Sequence, residues 1–154
     1  MRQGGSALRR NVLLAALAAY AVFVCLITLS PRTPGDSFVT RFVNDALAAL
    51  HARGLLLQVD YLTVEFFANT LLFVPLGALT TAVLDRRWWW TLLVAGTAFS
   101  GLLELVQLLL LPDRVADWRD LVSNTIGFLL GAAAVVIAGS AARRRAASSV
   151  PRQK

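Results

Sequence analysis

Glu65 and Asn69 stand four residues apart in this chain, and so do Asp120 and Asn124. The two stretches read EFFANTLLF and DLVSNTIGF. Both spell an acid, three residues, Asn-Thr, two residues and Phe. On a helix, a spacing of four places two side chains on one face. Each stretch therefore offers a carboxylate beside an amide. Glu104 and Gln107 lie between the two stretches in sequence, and Arg114 comes shortly before the second. Brought together, such groups can hydrogen-bond a sugar or an amide, grip a phosphate, or move a proton. Arg114 and Arg119 match phosphate geometry. Glu104 and Asp120 are the candidates for a general acid or base. The candidate ligand-binding set is Glu65, Asn69, Glu104, Gln107, Arg114, Asp120 and Asn124.

The elements that position these residues are apolar. The chain of 154 residues is 57% hydrophobic and 16% charged, against roughly a quarter charged in a soluble domain. Its mean hydropathy is +0.65. The charges cluster, leaving long windows between them. Asn11 to Pro31, Phe66 to Leu84 and Leu121 to Ala142 carry no charge, and Trp88 to Leu111 carries only Glu104. Each window is near the ~20 residues that a helix needs to cross a bilayer. None alternates as a barrel strand would. The expected fold is an all-α integral membrane protein with four transmembrane helices.

The net charge of +6 has a topological explanation. Arg2, Arg9, Arg10, Arg86, Arg87, Arg143, Arg144, Arg145, Arg152 and Lys154 make up ten of the 15 basic residues. In a four-helix chain they all fall on one side, which the positive-inside rule makes cytoplasmic. Both termini are then inside, contacts with anionic membrane lipid are expected, and no nucleic-acid partner is expected. The first apolar run is too long for a usual leader core and has no clean small-x-small site after it, so it reads as a membrane helix. The lone Cys25 excludes an internal disulfide.

Three parts follow from this layout: a basic cytoplasmic segment (1–10), one membrane domain (11–142) and a basic, flexible cytoplasmic tail (143–154). Between the first two apolar runs, Phe38, Phe42, Ala46 and Leu50 recur at helical spacing opposite Arg41, Asn44, Asp45 and Arg53. That pattern predicts an outward amphipathic helix lying on the membrane surface, capped by Asp36 or Ser37 and ended by Gly54. His51 is the only histidine. With no partner near it in sequence, it reads as incidental.

Small residues line up with the polar ones. Gly96, Ser100 and Glu104 form one stripe, and Ser123, Gly127 and Gly131 another. Such stripes let membrane helices approach closely. Pro75 predicts a kink. There is a plainer reading of each polar residue. Asn and Gln commonly hold membrane helices together, and acids such as Glu65 and Asp120 are favoured in a first turn by the helix dipole. That dipole disfavours Glu104, near the far end of its helix, which argues for a specific role there. Metal-binding His/Cys sets, GxSxG, HExxH and P-loop motifs are all missing from the sequence, so no cofactor and no resident metal is expected.

The ordered set NTLLFVPLGAL, LLELVQ, an Arg, and DLVSNTIGFLLG resembles the VanZ-like family of bacterial membrane proteins. The match covers Glu65 to Gly131. The family's motif residues fall on Asn69, Pro75, Gly77, Glu104, Gln107, Arg114, Asp120, Asn124, Gly127 and Gly131. The resemblance implies a cell-envelope protein linked to glycopeptide (teicoplanin) resistance. Three functions fit the residues: binding an envelope lipid head group or a lipid-anchored glycopeptide; an enzyme acting on such a head group; and a structural helix bundle. The repeated acid–amide stretch makes the four helices read as two weakly similar helical hairpins, compatible with a monomer or a homodimer.

Overall fold

The computed structural model describes residues 3–29, 38–84, 89–110 and 117–148. Every regular element among them is an α-helix: α1 (Gln3–Thr28), α2 (Phe38–His51), α3 (Tyr61–Val83), α4 (Trp89–Leu110) and α5 (Trp118–Ser148). The all-α expectation therefore holds. Apolar stretches of 23, 23 and 29 residues in α1, α3 and α5 are long enough to cross a membrane. The apolar stretch described in α4, Val94–Leu110, is shorter. Two boundaries differ from the sequence reading. α1 already begins at Gln3, and α5 runs through Arg143, Arg144 and Arg145 to Ser148 rather than giving way to a flexible tail at Arg143. Ala and Arg are strong helix formers, and cations suit the C-terminal turn of a helix.

The centre of the bundle is the α3–α5 seam, where the two backbones meet at glycine. A Cβ on Gly77 would strike the carbonyl of Phe128. On Gly127 it would strike that of Thr70, and on Gly131 that of Val74. The expected Gly127–Gly131 stripe thus faces α3, and Gly77 answers it from the other side. Gly96 on α4 leaves room for the Phe128 ring. Around this seam Val24, Phe73, Leu76, Leu103 and Phe128 form the buried core, with Phe73 tilted against Phe99 at 6.3 Å.

α1 joins through a polar contact that the sequence does not advertise. The Tyr20 hydroxyl donates to the Leu72 carbonyl at 2.9 Å. Leu72 is next to Leu71, whose carbonyl Pro75 deprives of its usual N–H partner. Much of the outer surface of α1, α3 and α5 is apolar: Leu26, Leu71 and Ile137 are each more than two-thirds exposed. Lipid tails can cover such surfaces without a hydrophobic penalty.

α2 and its linker form a tied platform. Gly54 has a φ of 73°; its N–H bonds the His51 carbonyl while that of Leu55 bonds Leu50, the usual glycine-ended helix terminus. His51 is not incidental. Its Nε2 contacts the carbonyls of Leu56 at 2.9 Å and Val59 at 3.1 Å. Both partners can only accept, so Nε2 carries the proton. The ring pins a turn in which Leu56 has a φ of 53°, a strained value for a leucine. The expected apolar face of α2 meets the bundle mainly at Leu47, while Phe38 and Phe42 remain exposed. Asp36 and Ser37, the expected caps of α2, lie outside the described residues.

Candidate functional site

Among the described residues, hydrogen bonds join the polar side chains across helices. Asn69 on α3 donates through Nδ2 to Asp120 Oδ1 on α5 at 2.8 Å. Asn124, one turn deeper on α5, donates to Ser100 Oγ on α4 at 3.1 Å. Gln107 on α4 donates through Nε2 to the Thr28 carbonyl at 2.7 Å. Thr28 is the last residue of α1, where carbonyls lack intrahelical donors, so Gln107 serves as its cap. Asn69, Ser100, Glu104, Gln107, Asp120 and Asn124, with Thr28 and two apolar neighbours, line one small cavity of about 20 Å³. That volume admits one water-sized group.

Five of the seven expected ligand residues therefore meet: Asn69, Glu104, Gln107, Asp120 and Asn124. The other two stand differently. Glu65 is half-buried and does not line the cavity. It is also past the first turn of α3, which begins at Tyr61, so the first-turn dipole reading fits Asp120 and not Glu65. Arg114 lies outside the described residues. Two neighbours also have roles of their own. Asp117 accepts the Arg119 N–H through Oδ1 at 2.9 Å, tying down the start of α5. Arg119 is exposed and stands away from the cavity.

The burial of these groups sets what they can do. Ser100 and Ser123 are fully buried, and Gln107 and Asn124 nearly so. Asn124 Oδ1 is enclosed and has no hydrogen-bond partner among the described residues. A buried amide oxygen in that state favours a donor, so the cavity suits a water, a hydroxyl or an N–H. Two carboxylates on its wall add acceptors. Chemically, this is an acceptor-rich pocket for one small donor group. Among the described residues no cluster of three or more His, Cys, Asp or Glu is placed to hold a metal.

Sequence reading missed two contributors at this end of the molecule. The Thr28 carbonyl leaves no side-chain signal; only the position of a helix end could have indicated it. Asp60 caps α3, its Oδ1 accepting the Thr63 N–H at 2.8 Å and the Thr63 hydroxyl at 2.6 Å. The spacing Asp60–Thr63, just before an apolar run, was available as a helix-start signal.

Long apolar helices around a buried polar cluster define a helical membrane protein. A model of the VanZ/LLP1 family matches residues 13–139, and the chain belongs to that family. The match begins in α1 and ends within α5, so it takes in every residue of the cluster. No curated protein matches the chain. No solved structure matches it either.

Proposed function

We propose that this envelope protein crosses the membrane four times with both termini in the cytoplasm, and binds the head group of an envelope lipid, or of a lipid-anchored glycopeptide, at its outward end. The positive-inside distribution of arginine supports the orientation. α4 spans 22 residues in all, enough to serve as the fourth crossing.

The observation that carries the binding reading is the concentration of polar groups at one end of the bundle. The cavity lies where α1 stops and α3 and α5 begin, and among the described residues the enclosed Asn124 oxygen has no donor. A cavity of about 20 Å³ takes a single hydroxyl or amide of a ligand, with the rest of the head group outside. Ionisable groups at membrane depth are functional candidates by default. Arg114 is proposed as the phosphate partner. A contribution to glycopeptide resistance follows if the lipid-anchored drug is the ligand.

A second reading rests on its own observation. Three interhelical hydrogen bonds already engage Asn69, Asn124 and Gln107, so the cluster also suits assembly of the bundle. Native mass spectrometry of the purified protein separates the two. Binding predicts a lipid or polyprenyl phosphate on the wild type that is lost in Glu104→Gln and Arg114→Lys at equal folded yield. A bare wild type, or variants that lower only the folded yield, favours assembly. Turnover of a lipid head group that Glu104→Gln abolishes would instead indicate acid–base catalysis.

A further inference from the structure

α5 presents two different faces near its start. At 3.6 residues per turn, Asp120 and Asn124 point one way, while Trp118 and Val122 point nearly opposite, with Arg119 to their side. The first pair lines the polar cavity. The second group faces a separate groove of about 460 Å³, closed on the other side by Asp60, Thr63 and Phe66 at the start of α3. That volume falls within the range of ligand pockets. The groove shares no lining residue with the cavity.

Its lining is graded. The upper part carries one full negative and one full positive charge, Asp60 and Arg119. The lower part is apolar, with Leu62 and Val122 46% and 37% exposed beside Phe66. Trp118 stands 71% exposed at the rim, the position that tryptophan takes at a membrane interface. Asp60 is held in its charged form: the Thr63 hydroxyl, then the Thr63 N–H, pull its carboxyl below the ordinary value, with a smaller pull from Arg119. Those bonds use Oδ1. The Arg119 backbone N–H serves Asp117, but no bond to its guanidinium is found among the described residues.

We propose that this groove binds a zwitterionic phospholipid with a primary amine, its phosphate on Arg119, its ammonium on Asp60 Oδ2, and an acyl chain along Leu62, Phe66 and Val122. The charge pattern selects the class. An anionic head group without an amine would satisfy Arg119 but would face Asp60 unpaired. A guanidinium grips phosphate well, and a carboxylate accepts from an ammonium that has three donors. This proposal deepens the lipid-binding reading and rests on it, but places the head group on the opposite face of α5 from the cluster.

The test is native mass spectrometry of the full chain released from bilayers of equal phosphatidylethanolamine and phosphatidylglycerol. Asn caps helices as well as Asp does, so Asp60→Asn keeps the start of α3 and removes only the charge. The wild type should retain phosphatidylethanolamine in preference. Asp60→Asn should lower that preference about tenfold, the loss of one charge-assisted hydrogen bond. Arg119→Gln should release both lipids. Unchanged selectivity in Asp60→Asn, or unchanged occupancy in Arg119→Gln, overturns the groove. If lipid is instead lost only in Glu104→Gln, the groove fails while the cluster reading stands. A wild type that retains neither lipid overturns the groove as well.

Discussion

The amide of Asn69 donates to the carboxylate of Asp120 across 2.8 Å of space and 51 positions of chain. The first acid–amide pair thus lends its amide to the acid of the second. The exchange is not reciprocal. Asn124 turns to Ser100 instead, and Glu65 stays off the cavity. The repeated phrase therefore marks two helices that meet, without making their sites equivalent.

The α3–α5 seam should tolerate no side chain where the backbones touch. Gly131→Val and Gly77→Val should each destabilise the bundle by at least the ~1–3 kcal/mol typical of overpacking, because backbone rather than a flexible side chain stands in the way. Gly101→Ala is the control, since nothing lies within 4 Å of a Cβ there. Thermal unfolding in detergent should separate the first two from the third.

Gln107 should matter to stability beyond its size. Gln107→Leu removes a buried side-chain amide that donates to the half-buried Thr28 carbonyl. The loss of one such hydrogen bond costs roughly 0.5–1.5 kcal/mol. The expected outcome is a lowered unfolding midpoint with faster hydrogen exchange in the last turn of α1.

His51 should govern the linker between α2 and α3. His51→Phe keeps a ring but removes the proton shared by Leu56 and Val59. Protease cleavage within 54–59 should rise while the helices remain intact. Leu56→Gly should act in the opposite direction, relieving a left-handed leucine by roughly 1–2 kcal/mol.

The cap on α3 should be sensitive to acid. The Asp60 carboxyl titrates below its ordinary value in the folded chain, so its contribution is fully present above the unfolded value of about 4. It is lost as pH falls further, because the unfolded state binds the proton first. Between about pH 5 and pH 2, the midpoint of the wild type should fall more steeply than that of Asp60→Asn.

Much of this was legible in the sequence, for physical reasons. Uncharged windows of membrane length announce α1, α3 and α5, and spacings of four announce that Asn69, Asp120 and Asn124 face inward. The small-residue stripes predicted the contacts at Gly96, Gly127 and Gly131. What stayed hidden depends on tertiary placement. A carbonyl such as Thr28 has no signature of its own. His51 finds its partners in a turn whose path periodicity does not encode. The pairing of Asn69 with Asp120, rather than with Glu65 on its own helix, is decided by how closely the glycines let α5 approach.

Asn69 and Asp120 join α3 to α5, and a double-mutant cycle measures that link directly. Asn69→Ala, Asp120→Ala and the double variant would be unfolded side by side with the wild type in detergent or bilayer. Measured couplings between membrane helices average ~0.6 kcal/mol and reach ~1.7 kcal/mol, and this half-buried bond belongs in the upper part of that range because its acceptor is a carboxylate. A coupling of roughly 1 kcal/mol or more is the expected result. Strictly additive effects would mean that Asn69 and Asp120 do not hold α3 to α5, and would contradict the site as described.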